Sequence, residues 1–145
     1  MTVLRLEHVG VVVDDLEEAI AFFLDLGLEL EGRTSVEGEL VDRIVGLEGA
    51  RSDVVILRTP DGTGKLELAK FHTPASPAGD PQPPSNAPGL RHVLFAVDDL
   101  DDTVGRLQAR GTELVGEVVN YGTSYRLCYL RGPAGIIVEL AEKLP

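Results

Sequence analysis

Two histidines and two glutamates of this 145-residue chain occupy positions whose chemistry can be named before any fold is assumed. His8 and His92 each sit in a short apolar run rich in β-branched residues, which reads as a strand. Glu67 interrupts Lys65-Leu66-Glu67-Leu68-Ala69, and Glu139 interrupts Ile136-Ile137-Val138-Glu139-Leu140-Ala141. A carboxylate in the middle of an apolar strand is costly to bury alone, so each needs a partner. A cation is the most direct one. Imidazole nitrogen and carboxylate oxygen together suit a borderline divalent metal: Zn, Ni, Co, Fe or Mn. Each residue also has a plainer role, the histidine as a half-buried hydrogen-bonding group and the glutamate on a solvated sheet face.

The positions of the four residues favour the metal role over the plainer ones, because the chain repeats itself, although duplication alone would also preserve them as inherited structure. Leu6-Glu7-His8-Val9-Gly10-Val11-Val12-Val13-Asp14-Asp15-Leu16 aligns with Leu90-Arg91-His92-Val93-Leu94-Phe95-Ala96-Val97-Asp98-Asp99-Leu100, with seven of eleven positions identical. The two histidines are 84 residues apart (92 minus 8) and the two glutamates 72 (139 minus 67). The second copy is therefore shorter by about a dozen residues, lost from its middle. If the copies face each other about a pseudo-twofold axis, two His and two Glu converge on one point. The third histidine, His72, has no counterpart in the second copy and reads as a solvated strand end, with a weaker case as a substrate contact.

Each copy reads as β-α-β-β-β. Strands are predicted over 3–13 and 90–97. Helices follow, with Asp14 and Asp98 as N-caps and Gly27 and Gly111 as stops. Leu16, Ile20, Phe23 and Leu24 recur at helical spacing, as do Leu100, Val104 and Leu107. Further strands are expected near 28–37, 53–59 and 65–71, and at 113–119, 124–131 and 136–142. The chain thus divides into a first module, 1–73, a proline-rich linker, 74–89, and a second module, 90–145, within one structural domain.

Composition narrows the function classes. Twenty-four acidic side chains against 13 basic ones give a net charge of −11, which argues against nucleic acid and anionic membranes as partners. No apolar run approaches the roughly 20 residues that cross a bilayer, and the N-terminus lacks the pattern of a signal peptide. One cysteine, Cys128, excludes a disulfide framework and a multi-cysteine zinc site. A cytoplasmic protein with a small-molecule substrate is expected.

Paired β-α-β-β-β modules with His8, Glu67, His92 and Glu139 resemble the vicinal oxygen chelate superfamily, over roughly residues 3–143. Its members include glyoxalase I, methylmalonyl-CoA epimerase, extradiol dioxygenases and antibiotic-binding or antibiotic-modifying resistance proteins. The first-strand His-Val leading to Val-Asp-Asp-Leu, and the closing Gly-Pro-Ala-Gly-Ile-Ile-Val-Glu-Leu, carry most of the likeness. The resemblance implies an α+β fold of two tandem modules forming a half-barrel cleft, a divalent metal in that cleft, and a homodimer, with ligands from one chain or shared between two. It also implies an isomerase or lyase that stabilises an enediolate, with Glu139 as the first candidate base and Glu67 the second. Glyoxalase I enzymes carry His or Gln, then Glu, His and Glu at these places, and epimerases usually have Gln where this chain has Glu67. An extradiol dioxygenase needs only a facial triad, which His8, His92 and Glu139 could supply. A binding or resistance protein without metal is the third alternative.

In glyoxalase I an Arg and an Asn, four residues after the first and second ligands, serve glutathione. Here those places hold Val12 and Phe71, which argues against glutathione. Substrate contacts are sought at Tyr121, Tyr125, Arg126 and Arg43: tyrosine hydroxyls for a substrate oxygen, guanidinium groups for a carboxylate or phosphate. Cys128 reads as an inert, half-buried small residue.

Overall fold

The computed structural model describes residues 2–145. The chain is α+β and falls into two compact units, Met1–Gly79 and Asp80–Pro145, each built on one four-stranded mixed sheet. In the first unit the elements run β1 (Val9–Val12), α1 (Leu16–Leu26), β2 (Glu29–Glu37), α2 (Glu39–Val45), β3 (Arg51–Arg58) and β4 (Lys65–Thr73). In the second they run β5 (His92–Val97), α3 (Leu100–Ala109), β6 (Val119–Tyr121), β7 (Tyr125–Arg131), a 3-10 turn at Pro133–Gly135, and β8 (Ile137–Lys143). Strand order is β1-β4-β3-β2 in one sheet and β5-β8-β7-β6 in the other. The first and last strands of each unit pair in parallel, and the other neighbours are antiparallel. Neither sheet closes into a barrel.

Each core lies between a sheet and its helix. On β4, Leu66 and Leu68 alternate with Glu67; on β8, Val138 and Leu140 flank Glu139. All four apolar residues are buried, with Val55 and Leu57 of β3 and Cys128 and Leu130 of β7. The helices supply the other half, through Leu16, Ile20 and Phe23 on α1 and Leu100, Val104 and Leu107 on α3. The period-2 pattern sends Leu66 and Leu68 to the face opposite Glu67, and Val138 and Leu140 to the face opposite Glu139, while Ala69, Ile137 and Ala141 are buried on the glutamates' own side.

The start of each helix differs from expectation by one residue. Asp15 and Asp99, not Asp14 and Asp98, are the N-caps: Glu18 N–H donates to Asp15 Oδ1 at 3.0 Å and Asp102 N–H to Asp99 Oδ1 at 2.9 Å. Either member of an Asp-Asp pair can accept these bonds. The backbone chooses the second, because Val13 N–H still donates to Ala69 O, prolonging the sheet contact past β1.

Three other elements depart from the sequence reading. The first strand begins at Val9, and residues 2–8 are exposed without strand pairing. Its partner β4 begins only at Lys65, after the turn closed by Thr59 N–H to Gly64 O, so earlier residues have no neighbour to pair with. Over 113–119 the chain makes one isolated bridge, Leu114 to Leu130, and the regular edge strand is only β6. Helix α2 was not anticipated; it has no buried residue and hence no apolar stripe to read. Among the described residues, no helix is long and apolar enough to cross a membrane.

Candidate metal centre

The site is built from a repeated strand pairing. Glu67 stands opposite Gly10 on β1 and Ile56 on β3; Glu139 stands opposite Leu94 on β5 and Tyr129 on β7. His8, two residues before Gly10, and His92, two before Leu94, belong to the same sheet faces as the glutamates by strand alternation. His92 opens β5, whereas His8 immediately precedes β1. His8 Nε2 lies 3.3 Å from Glu67 Oε2, and His92 Nε2 lies 3.4 Å from Glu139 Oε1. The unit-by-unit duplication read from sequence therefore becomes two like His–Glu pairs.

These separations are informative. A charge-assisted hydrogen bond closes to about 2.7–2.9 Å, so both contacts are long for one. Two donors at about 2.1 Å from a shared cation, subtending roughly 90–110°, stand about 3.0–3.4 Å apart. The donor types and spacing fit a borderline divalent metal. Each pair by itself supplies two donors. Among the described residues, no group of three or more His, Cys, Asp or Glu side chains that could hold a metal is gathered. The pairs also differ in enclosure: the Glu139 side chain keeps 12% of its exposure and Glu67 32%.

Tyr129 is a site residue that sequence reasoning missed. Its hydroxyl lies 3.5 Å from His92 Nδ1, and the two rings are 5.3 Å apart at 35°. Strand alternation places Tyr125, Leu127 and Tyr129 on one face, but only the β7–β8 register sets Tyr129 opposite Glu139.

Charge around the first pair is organised by Lys65. Its ammonium lies 3.1 Å from Glu31 and 3.8 Å from Glu7, and Glu7 is also bound by Arg5 at 2.7 Å. The Arg5 hydrogen bond and charge, with Lys65, hold the Glu7 carboxyl below its ordinary range. This network ties the unpaired segment that carries His8 to the sheet.

The other candidates scatter. Tyr125 and Tyr121 pair across β6 and β7, both exposed, toward the far end of the Glu139 face. Arg126 projects from the opposite face, where Nη1 donates to Asp101 of α3 at 2.9 Å. That bond lowers the Asp101 carboxyl and raises the guanidinium. Arg43 is exposed on α2 with no polar partner among the described residues. His72 is not simply solvated: Nε2 lies 3.0 Å from Asp53 Oδ2, and Ser35 donates to Asp53 Oδ1 at 2.5 Å. Cys128 is buried rather than half-buried, and burial pushes its thiol up. Val12 and Phe71 share the Glu67 face by alternation and offer it no polar group.

Comparison with known proteins agrees with this architecture. A glyoxalase family protein from Bacillus cereus superposes with a TM-score of 0.96 at 47% identity, over 100% of this chain and 97% of that one. The uncharacterized protein YaeR of Escherichia coli (strain K12) is 26% identical over 140 residues, 96% of each chain. Human mitochondrial methylmalonyl-CoA epimerase is 27% identical over 141 residues, 95% of this chain and 73% of the relative. The family model of the Glyoxalase/Bleomycin resistance protein/Dioxygenase superfamily matches residues 5–140, nearly the whole chain, and includes His8, Glu67, His92 and Glu139. The chain therefore belongs to the Glyoxalase/Bleomycin resistance protein/Dioxygenase superfamily.

Proposed function

We propose that this protein is a divalent-metal-dependent isomerase or lyase that moves a proton next to the carbonyl of a small substrate. The observation that carries the reading is the pair of repeat-related contacts, His8 to Glu67 at 3.3 Å and His92 to Glu139 at 3.4 Å. His8, Glu67, His92 and Glu139 would together hold one ion (Zn, Ni, Co, Fe or Mn), with the two pairs drawn from one chain or from two chains of a homodimer. When bound, the ion would act as a Lewis acid that lowers the cost of negative charge on the substrate oxygen.

The remaining work falls to side chains. Glu139 is the base that takes the proton and returns it, and Glu67 is second in line. Glu139 is the more enclosed of the two, walled by Leu94 and Tyr129, so its carboxylate meets substrate with less competing water. A second carboxylate at Glu67 favours proton transfer over dioxygen chemistry, for which a facial triad suffices. Similarity to methylmalonyl-CoA epimerase supports the same class. The apolar Val12 and Phe71 argue against glutathione as a co-substrate.

A second reading has one observation in its favour. Each pair alone offers only two donors, which suits a binding protein that holds a small molecule without metal.

Elemental analysis of purified protein beside His92→Ala separates the readings. Bound metal in the wild type and its loss in the variant are expected; equal content in both overturns the metal centre. Proton NMR of candidate carbonyl compounds in D2O then reads α-proton exchange directly. Glu139→Gln should abolish exchange while keeping metal, and normal exchange by that variant refutes its role as base.

A further inference from the structure

The two histidines are equivalent in sequence and unequal in support. His92 has a polar neighbour at both ring nitrogens: Nε2 faces Glu139 Oε1 at 3.4 Å, and Nδ1 faces the Tyr129 hydroxyl at 3.5 Å. His8 faces Glu67 at 3.3 Å, and nothing among the described residues meets its Nδ1. The difference traces to one repeat-related position. Opposite Glu139 on the neighbouring strand stands Tyr129; opposite Glu67 stands Ile56. Packing at this place is served by an apolar side chain, as Ile56 shows, so the hydroxyl is surplus to packing.

We propose that Tyr129 is a positioning residue for His92: its hydroxyl holds Nδ1, keeping Nε2 turned toward Glu139 and available to a cation. The proposal rests on the reading of His92 and Glu139 as metal ligands. An imidazole that binds a cation through Nε2 must carry its proton on Nδ1, and that proton needs an acceptor. A phenol oxygen accepts it. The same phenol can instead donate to an unprotonated Nδ1, in which case Nε2–H turns to Glu139. Either way both nitrogens stay in place, because a flipped ring would set carbons against Glu139 and Tyr129. The tilted ring contact at 5.3 Å adds a packing restraint that Phe would keep and the hydroxyl alone does not explain.

Tyr129→Phe tests this, because it removes one oxygen and preserves the ring. Long-range proton–nitrogen NMR of metal-free, nitrogen-15-labelled protein at about pH 8, above the ordinary imidazole range, reads the tautomer of each histidine. His8→Ala and His92→Ala assign the signals. The wild type is expected to show one dominant tautomer for His92, and Tyr129→Phe a mixture, with the His8 signals unmoved. In zinc titrations the variant should bind about 10–100-fold more weakly, with its thermal midpoint within a few degrees of the wild type. An unchanged His92 pattern in Tyr129→Phe overturns the proposal whatever the zinc result. If the wild type binds no zinc or other divalent ion, the metal reading falls, and the tautomer measurement still decides the role of Tyr129.

Discussion

Gly135 is the most crowded of the glycines, and its replacement by Ala gives a sharp test of how the second unit is held. The residue has φ +74°, and a Cβ there would stand 2.0 Å from Pro81 O and 2.9 Å from Pro81 C. Ordinary carbon–oxygen contacts are about 3.3–3.6 Å, so the segment at Pro81 must shift by more than 1 Å. That segment is clamped. Arg131 Nη1 donates to Pro83 O at 2.7 Å and to Gly135 O at 2.9 Å, spanning the point of collision. Arg91 donates to Ala87 O at 3.0 Å and Pro88 O at 2.8 Å.

The magnitude follows from three contributions. Left-handed backbone costs a non-glycine residue about 1–2 kcal/mol. The reduced freedom of the unfolded chain returns about 0.4–1 kcal/mol. Losing one charge-assisted bond from Arg131 costs about 1.5–3 kcal/mol. Gly135→Ala should therefore destabilise by roughly 1.5–4.6 kcal/mol. Gly111 is the control: its φ is +95°, and nothing lies within 4 Å of a Cβ there. Gly111→Ala should cost only about 1 kcal/mol, from the backbone effects alone. Urea denaturation of wild type and both variants, followed by circular dichroism, measures the difference as a midpoint shift of about 1 M or more between the variants. A Gly135→Ala protein within about 0.5 kcal/mol of Gly111→Ala would show that the Pro81–Pro88 segment yields freely and that Arg131 does not fix it. Arg131→Gln combined with Gly135→Ala should be less than additive, since both act on one segment.

Three further outcomes are expected. Asp53 is held below its ordinary range by the Ser35 hydroxyl and by His72, and it is stabilising where the unfolded carboxyl would be ionised. That contribution is present above about pH 4 and lost as pH falls through the lower folded value, so Asp53→Asn should flatten the acid limb of stability; parallel acid limbs would refute it. Cys128, buried with its thiol pushed up, should react with an aromatic disulfide reagent far more slowly in native protein than in guanidinium, and equal rates would contradict its placement. Asp99→Ala should cost about 1 kcal/mol by leaving the Asp102 N–H without its cap, whereas Asp98→Ala should cost less in the same melting experiment.

The repeat, the α1 and α3 helices and the closing strands were legible because their information is local. Leu16, Ile20 and Phe23 recur at helical spacing, and Leu66 and Leu68 flank Glu67 at strand spacing. The same locality explains the misses. Helix α2 buries nothing, so its sequence carries no period. The choice between Asp14 and Asp15 depends on how far the β1–β4 contact runs, which lies 55 residues away in the chain (69 minus 14).

The sequence by itself determined that two His and two Glu occur as repeat-related pairs, since residue type and spacing are properties of the chain. Only the tertiary structure decided which neighbours they meet. Arg126 and Tyr129 lie three residues apart on one strand, yet the parity of the β7–β8 pairing sends Arg126 to Asp101 and Tyr129 to His92. A strand exposes its residues alternately to two faces, and which face receives the glutamate is set by a pairing register between segments that no local pattern records.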